Sequence, residues 1–90
     1  MVVNAATREK DLAWIQLQAK KFDVAVKVRD DLAMIAVQGP HAREMAHAVL
    51  GTVNTLKVKD LGAFFMAVVD DMAVARTGYT GEDGYEIMLP

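Results

Sequence analysis

Leu32-Ala33-Met34-Ile35-Ala36-Val37-Gln38-Gly39-Pro40-His41-Ala42-Arg43-Glu44-Met45-Ala46-His47-Ala48-Val49-Leu50-Gly51 decides how the chain is read. Its opening, Leu32 to Val37, is a nearly continuous apolar run of strand length. Gly39-Pro40 breaks that run. Proline has no N–H to lose, so Pro40 is placed as the first helical residue. Beyond it Ala42, Met45, Ala46, Val49 and Leu50 follow the i, i+3, i+4, i+7, i+8 spacing of one helix face. Gly51 is placed to cap that helix. A strand that passes into a helix through Gly-Pro predicts a mixed fold.

Upstream, Val24, Val26 and Val28 alternate with Ala25, Lys27 and Arg29, the period-two pattern of a half-buried strand. Asp30-Asp31 turns the chain between this strand and the next. Before it, Thr7 stands as an N-cap, with Glu9 and Asp11 favoured by the positive end of a helix. Leu12, Ile15, Ala19 and Phe22 mark its inner face, and Lys20 and Lys21 suit its last turn. Trp14 falls off that stripe, which puts it at the edge of the core or against another part of a larger protein. Residues 1–5 read as a short apolar strand.

Downstream, Val53, Leu56 and Val58 fit an alternating strand, while Leu56, Asp60 and Leu61 fit a turn, so residues 52–62 stay open. Ala63 to Val69 reads as a buried strand, Asp70-Asp71 as a turn, and Met72 to Thr77 as the return strand. Tyr85 to Leu89 alternates again as the last strand. The resulting order is β-α-β-β-α-β with additional C-terminal antiparallel strands, an α+β fold with a ferredoxin-like core. The expected core is Leu12, Ile15, Phe22, Val24, Val26, Ile35, Val37, Met45, Val49, Phe65 and Val68. The Asp pairs recur in two hairpins, and turn chemistry explains the echo without a repeat.

Ninety residues with 53% hydrophobic and 24% charged side chains make one globular domain, 1–90, with a modest core. Ten basic and twelve acidic residues give a net charge of -2, without the clustered basic excess of a nucleic-acid surface. The absence of cysteine excludes disulfides, thiolate metal sites and cysteine nucleophiles. No apolar run reaches the roughly 18 residues of a membrane span, and Met1-Val2-Val3 is too short for a signal-peptide core. A cytoplasmic protein is expected. The apolar ends, Met1-Val2-Val3 and Ile87-Met88-Leu89-Pro90, suggest a piece of a longer chain.

The chemistry-bearing stretch is Arg76-Thr77-Gly78-Tyr79-Thr80-Gly81-Glu82-Asp83-Gly84-Tyr85-Glu86-Ile87. It lacks the Lys and Ser/Thr of a phosphate loop, and Glu82 and Asp83 would repel a phosphate. There is no serine for a nucleophile elbow. His41 and His47 fall on different helix faces without a completing carboxylate, so they read as solvated surface residues and no metal site is expected. The adjacent aspartates at 30–31 and 70–71 read as turns. What remains suits a flat, amide-like ring. Tyr79 offers an aromatic face and a hydroxyl. Glu86 accepts two N–H groups side by side, and Asn4 donates and accepts in one plane. A pterin satisfies these groups, as would several other heterocycles.

Val2-Val3-Asn4-Ala5-Ala6-Thr7-Arg8-Glu9-Lys10-Asp11, Ala36-Val37-Gln38-Gly39-Pro40 and Thr77 to Ile87 resemble the glycine cleavage system T-protein family, the aminomethyltransferases. The motifs stand in the family's order and cover the whole chain. The resemblance implies transfer of an aminomethyl-derived one-carbon unit from the lipoyl arm of the H-protein to tetrahydrofolate, with release of ammonia. It implies tetrahydrofolate as co-substrate and the lipoylated H-protein as partner. It matches Glu86 to the family's folate-binding glutamate and Tyr79 to a tyrosine near the pterin, with Val3 and Asn4 bordering the pocket. The family's essential aspartate and a folate-binding arginine match nothing within these 90 residues. The chain alone is therefore expected to be inactive, to belong to a longer multidomain enzyme, and to self-associate through an uncovered apolar face. A non-catalytic interaction module, or the folate domain of a dimethylglycine- or sarcosine-oxidising enzyme, are the alternatives.

Overall fold

A computed structural model describes residues 1–90. Helix α1 covers Arg8–Ala19 after a 3-10 turn at Ala5–Thr7. Strand β1 (Ala33–Gln38) leads to helix α2 (Ala42–Val58), followed by β2 (Met66–Val69), β3 (Met72–Ala75) and β4 (Gly84–Leu89). The strands form one sheet in the order β1-β4-β3-β2, and every pairing is antiparallel. The chain is α+β, with two helices and four strands compatible with a ferredoxin-like core carrying extra strands.

Two expected strands do not form. Residues 1–4 and Val24 to Val28 are irregular. Alternation marks a face but supplies no partner, and neither segment has a neighbouring strand to bond. Thr7 does precede α1, yet its hydroxyl donates to Asp11 Oδ2 at 2.6 Å and makes no backbone cap. No residue of α1 is buried. Trp14, 63% exposed, is outside the core and not at its edge.

The helix that the Gly-Pro break introduces begins two residues later than expected. Gly39 and Pro40 form a turn in which the Ala42 N–H donates to the Gly39 carbonyl at 3.1 Å. Gly51 interrupts α2 with φ 76°, ψ 169° but does not end it. The helix bends there and resumes to Val58, so the segment that stayed open is largely helical. Thr55 Oγ1 donates to the His47 carbonyl at 3.0 Å, satisfying an acceptor beside the bend. Asn54 Nδ2 donates to Asp70 Oδ2 at 3.0 Å, tying the resumed helix to the β2–β3 turn. Asp70 has φ 55°, a left-handed conformation that aspartate tolerates, and the Asp70-Asp71 turn forms as expected.

Helix α2 covers one face of the sheet, and the core lies between them. Ala46, Val58, Val69, Val74 and Tyr85 are buried there, with Leu50, Leu61, Ala67 and Ile87 packed around them. None of the eleven expected core residues is buried; Leu12, Ile15 and Val37 come nearest, half-buried. The error is one of phase and of layers. Val68 and Val69 point to opposite faces, and the helix covers only the face holding Val69, which leaves Val68 70% exposed. On α2 the small residues Ala42 and Ala46 meet the sheet, while Met45 and Val49 remain exposed.

Candidate functional site

The alternation of β4 places Tyr85 and Ile87 toward α2, and Gly84, Glu86 and Met88 on the opposite, uncovered face. Glu86 stands between Ala36 of β1 and Ala75 of β3, its direct partners across the sheet. Two methyl groups flank a half-buried carboxylate. Thr77 Oγ1 donates to Glu86 Oε2 and orients the carboxylate, leaving Oε1 without a protein donor.

Glu86 is also the last β4 residue paired with β3. Beyond it side chains replace the backbone ladder. Gln38 Nε2 donates to the Thr77 and Tyr85 carbonyls, both at 3.1 Å, and so bridges the two strands. The approach is close enough that backbone blocks any side chain at Gly84, while one at Gly78 would displace the Gln38 amide. A Cβ on Gly84 would lie 2.1 Å from the Val37 carbonyl oxygen, and one on Gly78 would lie 2.1 Å from Gln38 Oε1.

The loop between β3 and β4 is held by an ionic clamp. Arg76 donates Nε to Asp83 Oδ1 at 2.9 Å and Nη2 to Oδ2 at 3.0 Å. Arg43, from the first turn of α2, reaches Asp83 Oδ2 at 3.4 Å. The Arg76 hydrogen bonds, helped by the charges of Arg76 and Arg43 and opposed by partial desolvation, hold the Asp83 carboxyl below its ordinary range. Two guanidiniums thus offset the charge of Asp83, and Glu82 alone carries the repulsion expected of this loop. Tyr79 stands in the loop, 86% exposed.

Behind the loop, Tyr85 is fully buried and its hydroxyl gathers three partners. It donates to the Val58 carbonyl at 3.1 Å and accepts from Arg43 Nε at 3.1 Å. His47 Nε2 lies 2.9 Å from the same oxygen, and donation from that nitrogen completes the hydroxyl's one donor and two acceptor positions. The Tyr85 hydrogen bond, opposed by partial burial and helped by the charge of Asp83, raises the Arg43 pKa. His47 is half-buried and bonded, a correction to its reading as a solvated surface residue. Its spacing from the stripe carried no sign of this, because the partner lies 38 residues away. His41 is exposed as expected.

The four residues expected at the site fall into two groups. Glu86 and Tyr79 belong to the β3–β4 unit. Val3 lines a groove of about 370 Å³ with Met1, Lys10, Asp11, Trp14 and Ile15. The Asn4 carbonyl accepts from the Thr7 N–H at 3.2 Å, and its side chain makes no cap. The aspartates at 30–31 and 70–71 lie in turns, as expected, and Asp30, Asp31 and Asp70 bond Arg8, Arg29 and Asn54 respectively. No three His, Asp or Glu side chains form a metal-binding group, and no helix is long and apolar enough to cross a membrane. A family model described as the GCVT N-terminal domain matches residues 1–90. The chain belongs to the GCVT N-terminal domain family, a transferase family that includes the glycine cleavage T-proteins.

Proposed function

We propose that this chain supplies one wall of the tetrahydrofolate site of an aminomethyltransferase of the glycine cleavage system. The observation that carries the reading is Glu86: a half-buried carboxylate flanked by Ala36 and Ala75, with one oxygen engaged by Thr77. The 2-amino-4-oxo ring of a folate presents adjacent N–H donors that such a carboxylate accepts, and small neighbours such as alanine suit a flat ring. In this proposal Tyr79, exposed in the β3–β4 loop, supplies an aromatic face. The one-carbon donor in this proposal is the lipoylated H-protein, and the setting is cytoplasmic. Asp30, Asp31, Asp70 and Asp71 lie in turns, and the proposal gives none of them the family's proton-steering role. The chain alone is expected to give no turnover with H-protein and tetrahydrofolate.

Calorimetric titration with tetrahydrofolate tests the wall. Weak binding that disappears in Glu86→Ala supports it, and undiminished binding in that variant removes Glu86 from the site. A second reading, an interaction module without folate affinity, is favoured by Phe65, Met66 and Val68, each more than half exposed on or beside one edge strand. Sedimentation that stays monomeric across a wide concentration range would count against self-association through that surface.

A further inference from the structure

We infer that Asp83 is a positioning residue, which holds the β3–β4 loop so that Glu86 and Tyr79 meet a ligand in fixed geometry. The inference rests on the folate reading for its ligand, but its structural basis is separate. Regular pairing between β3 and β4 stops at Ala75 and Glu86. From that point the loop needs another closure. Strands that diverge beyond their last pair otherwise leave the final side chains free to splay.

Asp83 supplies the closure from three directions. Its carboxylate takes the two-pronged Arg76 contact from the end of β3. It takes Arg43 from α2, and its Oδ1 also accepts the Gly84 N–H at 3.0 Å. Its backbone carbonyl accepts the Gly39 N–H at 2.9 Å, fixing the same residue to the β1–α2 turn. Both guanidiniums are anchored in turn. Arg76 Nη1 donates to the Leu61 carbonyl at 2.7 Å, and Arg43 bonds Tyr85 Oη and the Lys59 carbonyl. The arginines thus tie one loop carboxylate to both ends of α2. A bidentate guanidinium–carboxylate pair constrains direction as well as distance, which a single hydrogen bond does not. Asp83 touches no ligand atom in this scheme; it acts through the loop backbone, three residues before Glu86.

The experiment compares the 90-residue chain with its Asp83→Asn variant, which keeps the shape and removes the charge. Amide hydrogen exchange reads the loop, the ¹³C carboxyl resonance of Glu86 reads the site, and calorimetry reads tetrahydrofolate affinity. The expected result is faster exchange confined to residues 78–82, a displaced Glu86 resonance, and an affinity about tenfold weaker, the weight of one charge-assisted contact. Arg76→Lys keeps the charge but not the fork, and is expected to move all three in the same direction. Loop exchange and a Glu86 resonance unchanged in both variants would overturn the inference. Exchange that rises equally in α2 and every strand would also overturn it, because Asp83 would then serve stability alone. If the unaltered chain shows no tetrahydrofolate binding, the folate reading falls, while exchange and the Glu86 resonance still decide the role of Asp83.

Discussion

Tyr85 of β4 donates its hydroxyl to the carbonyl of Val58, the last residue of α2, at 3.1 Å. That one bond closes the helix onto the sheet at the far end of its bend. The bend at Gly51 makes it possible, because it redirects the second half of α2 so that Val58 becomes fully buried. Arg43 and His47, from the first half of the helix, meet the same oxygen. One phenol therefore joins both halves of α2 to the central strand β4.

Tyr85→Phe keeps the ring and removes this junction. The Val58 carbonyl and Arg43 Nε then lose a partner in a part of the protein with little access to water. The expected loss is about 1–3 kcal/mol, the cost of stranding a buried polar group. Urea denaturation measures it, and a change under about 0.5 kcal/mol, the scale of an inert surface substitution, would show that the hydroxyl is dispensable.

The two faces of β2 are expected to respond differently to the same substitution. Val69 is fully buried under α2, and Val69→Ala should cost about 2 kcal/mol from lost burial and the cavity left behind. Val68, one residue earlier and facing away, should tolerate Val68→Ala within about 0.5 kcal/mol. Equal losses at both positions, measured by the same denaturant titration, would mean that the open face is covered in solution.

Asp31 should titrate far below an ordinary carboxylate. Arg29 holds it through hydrogen bonds from Nε at 2.8 Å and Nη2 at 2.6 Å, and this lowers its pKa to about 2. A carboxyl depressed in the folded state contributes stability above its unfolded pKa, and that contribution is lost as pH falls through the folded value. The loss at Asp31 should therefore fall between the ordinary carboxylate range and about pH 2. Asp83, depressed by Arg76, loses its contribution in the same direction. Carboxyl ¹³C titration of Asp31 checks this, and Arg29→Ala should return the midpoint to the ordinary range. An unmoved midpoint in that variant would remove Arg29 as the cause.

Much of the architecture could be read from local pattern. The apolar run before Gly39-Pro40 is β1, the periodic run after it is the first half of α2, and the Asp70-Asp71 turn joins β2 to β3. Each of these depends on neighbours in sequence, where hydrophobic period and turn chemistry act directly. Of the candidate site, only the residue types and their common stretch could be read this way. Glu86 and Tyr79 lie in one glycine-rich stretch whose composition already suggested a small-molecule wall.

Partnership was not legible, because it depends on residues far apart in the chain. Alternation at Val24, Val26 and Val28 resembles that of a true strand, yet no strand lies beside it to accept its bonds. His47 reads like His41 until Tyr85, 38 residues on, arrives beside it. Only the tertiary structure decided that Ala36 and Ala75 flank Glu86, that α2 covers the Val69 face alone, and that two arginines meet at Asp83. The sequence by itself determined the α+β class and the residue types of the glycine loop. The fold turned that loop from a run of polar residues into a held edge beside one carboxylate, because register and charge pairing exist only once distant segments meet.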